Sequence, residues 1–198
     1  MSEVVIVKYN AGNVQSVQNA LGRLGFQATW TDHPEIIRSA RRVIFPGVGE
    51  ASSAMEHLKE RDLDVLIRNL EQPVLGICLG LQLFCKHSEE NDTTCLGIFD
   101  VPVRKFDNQT TGLKVPHMGW NTLVDLQGPL FKDVPAGSYA YFVHSYFAEQ
   151  SSASVATTGY GGPFSAAIQR DNFYAVQFHP EKSGEIGQRI LSNFLKIK

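Results

Sequence analysis

The chain is short of the features that would commit it to a specialised environment. Cysteine occurs only three times in 198 residues, at Cys78, Cys85 and Cys95. Three cannot all pair, and their spacings of seven and ten residues fit no zinc module, so a disulfide scaffold is excluded and a cytosolic protein is expected. Charge of one sign is equally scarce: 18 Lys and Arg stand against 20 Asp and Glu, a net −2. No electrostatic footprint for nucleic acid or an anionic membrane follows. Apolar runs such as Pro73 to Leu81 stop well short of the roughly 20 residues a membrane span needs. The opening Met1-Ser-Glu-Val-Val-Ile-Val-Lys8 puts an acid before its apolar run and offers no small-residue cleavage site, so it does not read as a signal peptide. Internal repeats, low-complexity tracts and linkers long enough to separate domains are missing from the sequence, and one domain over residues 1–198 is expected.

What is there is apolar material for a sizeable core, 43% hydrophobic against 19% charged residues. The first half repeats one rhythm: a short apolar run, Gly or Pro punctuation, then a segment of helical period. That rhythm predicts parallel strands with crossover helices. Val4 to Tyr9 reads as a strand buried on both faces, and Gln27 to Thr31, Arg42 to Phe45 and Pro73 to Ile77 read as three further strands. Helices are expected from Asn13, which can cap the first, to a stop at Gly25; after Pro34; from about Glu50 to Leu70; and from Leu79 to Lys86. Beyond about residue 90 strand-like segments dominate, at Val101 to Phe106, Tyr139 to Ala148, Ser154 to Thr158, Ser165 to Arg170 and Phe173 to Phe178. They predict antiparallel additions to the sheet, with a polar turn at Asp107 to Gly112, a hairpin at Gly159 to Pro163 and a closing helix from Gly184. The fold class is therefore α/β, an open, mostly parallel twisted sheet with helices on both faces and antiparallel strand additions.

The most informative stretch is Gly76-Ile-Cys78-Leu79-Gly80 at a strand-to-helix junction, which has the form of a nucleophile elbow. The glycines remove Cβ atoms that would strike the returning chain, and the helix N-terminus lowers a thiol pKa while the Leu79 amide faces a developing oxyanion. Cys78 is thus a candidate nucleophile, or else a small buried hydrophobe. Cys85, on the following helix, and Cys95, in a polar loop, read as structural, with no elbow and base to accompany them. Of six histidines only His179 is built like a catalytic base. It ends an apolar strand, and Glu181, two residues on, can reach one ring nitrogen while the other faces a thiol. A surface turn and a metal site are the alternatives. The carboxyl ends of parallel strands converge at one sheet edge, which can unite residues 101 positions apart. Pro46-Gly47-Val48-Gly49 either supplies oxyanion donors from Val48 and Gly49 or is a plain loop.

Pro-Gly-Val-Gly, Gly-Ile-Cys-Leu-Gly and Phe-His-Pro-Glu, in this order, resemble the class I (triad) glutamine amidotransferases. Further matching segments are Gly12-Asn13 with Ser16-Val17, Val115 to Asn121, Tyr141 to Tyr146 and Gln177 to Ser183. The first loop, Lys8 to Asn13, departs from the Asp and Gly common there in the family. The resemblance implies that Cys78 attacks the carboxamide of L-glutamine and that His179, aligned by Glu181, relays the protons. It implies that Gln82, His144, Ser145 and Tyr146 hold the substrate with the backbone of Gly47 and Gly49. The Val48 peptide would turn to complete an oxyanion hole with Gly49 and Leu79. It further implies a heterodimer with a (β/α)8-barrel cyclase subunit that takes the ammonia, contacted by Asn13, Trp120, Tyr141 and Lys182. On residue chemistry alone these four read equally as a helix cap, two core aromatics and a solvated charge. No cofactor or metal is called for. A glutaminase serving another pathway, such as pyridoxal phosphate synthesis, and a non-catalytic binding module on the same fold are the rival readings.

Overall fold

The computed structural model describes residues 2–10, 13–108 and 112–198. Gly12 and a portion of the predicted turn at Asp107 to Gly112 lie outside them. Among these residues the sheet that positions everything else has seven strands, which lie side by side in the order Ser154–Gly159, Pro163–Arg170, Phe173–Val176, Val74–Ile77, Val43–Phe45, Val4–Val7 and Ala28–Thr31. Its parallel strands are β1 (Val4–Val7), β2 (Ala28–Thr31), β3 (Val43–Phe45), β4 (Val74–Ile77) and β13 (Phe173–Val176). β12 (Pro163–Arg170) and β11 (Ser154–Gly159) extend it antiparallel, joined by the expected hairpin. β13 joins the two parts, parallel to β4 on one side and antiparallel to β12 on the other.

Helices cover both faces, as apolar residues alternating along β1 require. Val4 and Ile6 pack with Val17 and Leu21 of α1 (Val14–Arg23) and with Ile190 and Phe194 of a C-terminal helix, α6 (Gly184–Phe194). Val5 and Val7 pack on the other face with Ile37 of α2 (Pro34–Ser39), Leu58 of α3 (Ala51–Lys59), Leu66 of α4 (Leu63–Arg68) and Leu81 of α5 (Leu79–Phe84). The single helix expected from Glu50 to Leu70 is two. Glu60, Arg61 and Asp62 are exposed, and Asp62 takes φ 53°, a left-handed turn that re-aims the chain before Leu63 is buried.

Two smaller sheets lie beyond the main one. β8 (His117–Thr122), not foreseen as a strand, pairs antiparallel with β9 (Tyr139–His144). The predicted Tyr139 to Ala148 strand breaks at Ser145, and its second segment, β10 (Tyr146–Ala148), joins β7 (Pro102–Lys105), β5 (His87–Ser88) and β6 (Thr93–Thr94). Cys95, expected in a polar loop, is buried in the apolar cluster beneath α3 and α5. Among the described residues no helix is long and apolar enough to cross a membrane.

Candidate active site

The parallel register brings the chemistry together. Ile77 of β4 lies opposite Val176 of β13, so Cys78 and Gln177 leave adjacent strands at the same edge, with His179 two residues further on. Phe45 of β3 lies opposite Gly76, which delivers Pro46 to Gly49 to that edge as well.

Cys78 is the elbow the sequence predicts. It holds φ 52° and ψ −106°, a strained conformation for a residue bearing a Cβ, and α5 starts at the next residue. Its backbone is pinned on both sides: its N–H donates to Val176 O at 2.8 Å, and its carbonyl accepts from Leu81 N at 3.0 Å. The turn is this tight only because Gly80 carries no Cβ, which would collide with the Phe45 carbonyl oxygen. At Gly76 a Cβ would come within 2.8 Å of the Phe84 ring.

His179 Nδ1 lies 2.8 Å from Glu181 Oε1, and both side chains are only 1% exposed. Burial alone would lower the imidazole's proton affinity, but the neighbouring Cys78 sulfur and Glu181 carboxylate outweigh it and the pKa is raised. Nε2 makes no aligned hydrogen bond of its own, so sulfur and ring are adjacent without being locked together. The backbone holds this histidine in place: His179 N donates to Tyr141 O at 2.9 Å, and Ser183 Oγ donates to His179 O at 2.6 Å. A surface His-Pro-Glu turn is thereby excluded. Among the described residues no group of three His, Cys, Asp or Glu could hold a metal ion.

A cavity of about 300 Å³ opens over the sulfur, walled by Val48, Gly49, Leu79, Gln82, His144, Ser145 and Tyr146, all sequence-predicted, by Pro116 and Val143, which lie in the matching segments without an assigned role, and by Glu90, which sequence reasoning missed. Glu90 follows a two-residue strand, and only folding carries it to the cavity. Its partly buried carboxyl is raised in pKa by burial, and its Oε2 accepts from Ala51 N at 2.7 Å. The loop carrying Val48 is anchored at both ends. The Tyr9 hydroxyl donates to Pro46 O, while the Glu50 carboxylate caps α3 by accepting from Ser52 N and Ser53 N. Between the anchors, Gly47 O accepts from Leu79 N at a long 3.4 Å, so the amide proposed as an oxyanion donor is turned to a weak internal partner.

The histidine walling the cavity works through its neighbours. His144 Nδ1 donates to Tyr146 O at 2.8 Å, and its Nε2 lies 3.0 Å from His117 Nδ1, so both ring nitrogens are spent inside the protein. Asn13 does not use its side chain to cap α1; Nδ2 donates instead to Glu181 Oε1 at 2.9 Å. Trp120 and Tyr141 meet across β8 and β9 with ring centres 6.0 Å apart, and Trp120 is 56% exposed, so it is no core aromatic. Lys182 is exposed beside the buried Glu181.

An open parallel sheet that presents a strained thiol, a carboxylate-held imidazole and a cavity at one edge defines a cysteine hydrolase of the elbow type. The chain matches the family model described as "Glutamine amidotransferase class-I" over residues 5–197, and it belongs to that family. It is 54% identical over 195 residues to "Imidazole glycerol phosphate synthase subunit HisH" of Bacteroides fragilis, covering 98% of this chain and 100% of that protein. Proteins of the same name are 55% identical over 195 residues in Bacteroides thetaiotaomicron, with the same coverage, and 45% identical over 202 residues in Vibrio parahaemolyticus, covering 98% of each chain. Among solved structures, a glutamine amidotransferase superposes with TM-score 0.75 at 18% identity, covering 98% of each chain. One from Thermotoga maritima superposes with TM-score 0.67 at 16% identity, covering 98% of this chain and 82% of that one. These two likenesses speak to the fold.

Proposed function

We propose that this glutamine amidotransferase is the glutaminase subunit of an imidazole glycerol phosphate synthase, acting in histidine biosynthesis. It hydrolyses L-glutamine to glutamate and ammonia and passes the ammonia to a (β/α)8-barrel cyclase subunit. The name shared by relatives that cover nearly the whole chain supports the pathway. The observation that carries the chemistry is the buried His179–Glu181 pair beside an elbow thiol that opens into a cavity.

Cys78 gives its proton to His179 Nε2 and attacks the carboxamide carbon. Glu181 on Nδ1 stabilises the imidazolium that forms. The carbonyl electrons move onto oxygen, where the Leu79 amide and an amide of the Val48–Gly49 segment receive them. For that the loop between its two anchors must turn, and Leu79 N must exchange Gly47 O for the oxyanion. Collapse breaks the C–N bond, His179 returns the proton to the leaving nitrogen, and ammonia departs from a glutamyl thioester. Water then gives a proton to His179 as it attacks the thioester, the C–S bond breaks, and glutamate and the thiol are regenerated. Glu90 and the free Oε1 of Gln82 offer acceptors for the substrate's ammonium group. Asn13, Trp120, Tyr141 and Lys182 form the face toward the cyclase.

The test is glutamate and ammonia release from glutamine by this chain, alone and with a cyclase barrel and its nucleotide ligand. Weak turnover alone and strong turnover in the complex are expected. Absence of release under every combination contradicts the proposal.

A further inference from the structure

Gln177 precedes the Phe-His-Pro-Glu segment, is completely buried, and has no role in the chemistry above. Its Nε2 lies 3.7 Å from Cys78 Sγ in hydrogen-bonding geometry, and its Oε1 accepts from Gln82 Nε2 at 3.2 Å. The sense of both amides is fixed from one end. Tyr146 O is a backbone carbonyl and can only accept, so the group 2.8 Å from it must be the NH₂ of Gln82. That NH₂ has one further proton, which meets Gln177, so Gln177 presents its oxygen there and its own NH₂ to the sulfur. The same carbonyl also takes the Nδ1 proton of His144, leaving His144 Nε2 to accept from His117 Nδ1, while His117 Nε2 faces Asn121 Nδ2 at 3.4 Å. The thiol is thus held between a donor, Gln177, and an acceptor, Val143 O at 3.8 Å.

We infer that Gln177 is a positioning residue for the nucleophile: it donates a hydrogen bond to the Cys78 sulfur, keeps that sulfur aimed between cavity and imidazole, and favours its anion, with Gln82 locking the amide in the required sense. A donor at this place is strengthened as negative charge develops on sulfur, and it needs no contact with substrate. The inference rests on the glutaminase reading for its purpose, but not for its measurement.

The experiment is the rate of Cys78 alkylation by iodoacetamide as a function of pH, read from the mass of the Cys78 peptide, in wild type, Gln177→Met and Gln82→Met. Gln177→Met keeps the length and loses the donor. Its profile is expected to move up by about one pH unit, with alkylation at neutral pH about tenfold slower and kcat reduced more than KM is raised. Gln82→Met leaves Gln177 in place but frees its amide to turn, and a smaller shift in the same direction is expected. A wild-type profile in either folded variant overturns the inference, and Gln82→Met decides the matter if Gln177→Met fails to fold. Failure of the wild type to release ammonia from glutamine would sink the glutaminase reading and leave the alkylation result standing.

Discussion

Cys78 and Cys85 lie seven residues apart, at the two ends of α5, and both are buried, yet their surroundings set opposite chemistries. Cys85 is enclosed by the core, with Leu81 O at 3.4 Å as its polar neighbour, and burial together with nearby Cys95 pushes its thiol well above the ordinary value. Cys95 is pushed up to about 12, by burial first and Glu90 second. Cys78 instead sits on a strained turn beneath a cavity, with an amide donor and a carboxylate-held imidazole as neighbours. Burial alone makes a thiol inert; burial combined with a donor and a nearby imidazole is the setting that the proposed nucleophile requires. The site belongs to the strand ends that bring those groups in.

The sharpest way to break this contrast is to delete each thiol in turn. Cys78→Ala is expected to lower glutaminase turnover by at least about 1000-fold with little loss of stability. A retained rate would remove the distinction altogether. His179→Asn should cost on the order of 100-fold or more in kcat, and Glu181→Gln a comparable loss, because each breaks the base without moving the sulfur. Steady-state kinetics of the cyclase complex would check both. Gly80→Ala addresses the turn itself. A Cβ there meets the Phe45 carbonyl, so a loss of about 2 kcal/mol in denaturant unfolding is expected, accompanied by a fall in activity.

The histidines around the cavity predict a pH effect of smaller size. Burial lowers His144 to about 3 and His117 to about 4. Well above pH 6.5 both are neutral whether folded or not, and their titration adds no pH dependence to stability. As pH falls below about 6.5 the unfolded chain takes protons that the folded one refuses, so stability should decline by about 1 kcal/mol per pH unit for each, down to the folded values. Urea midpoints between pH 7 and 5 would show it, and replacing His117 with Phe should flatten the slope. Least affected of all, Cys85→Ala and Cys95→Ala should keep near-normal turnover and lose only about 1 kcal/mol of stability.

Much of this was legible in the residues because it is local. Apolar runs and Gly or Pro punctuation mark β1 to β4, the glycines flanking Cys78 mark the elbow, and the spacing of His179 and Glu181 sets their pairing within three residues of chain. The illegible features depend on contacts between distant residues. Gln177 reaches Gln82 across 95 positions, and Asn13 reaches Glu181 across 168, which turns a predicted helix cap into a hydrogen-bond partner of that buried carboxylate. β8 reads as a motif rather than a strand because its outward residues Met118 and Trp120 are apolar yet exposed, at 64% and 56%, which defeats the usual alternation. The break at Asp62 came from backbone conformation, which the helical spacing of Leu58, Leu63 and Leu66 concealed.

The most direct test is to expose the protein, mixed with the proposed cyclase partner, to an electrophilic glutamine analogue and locate the adduct by peptide mass. The account predicts one adduct, on Cys78, which excess glutamine prevents. An adduct on Cys85 or Cys95 with Cys78 untouched would contradict it.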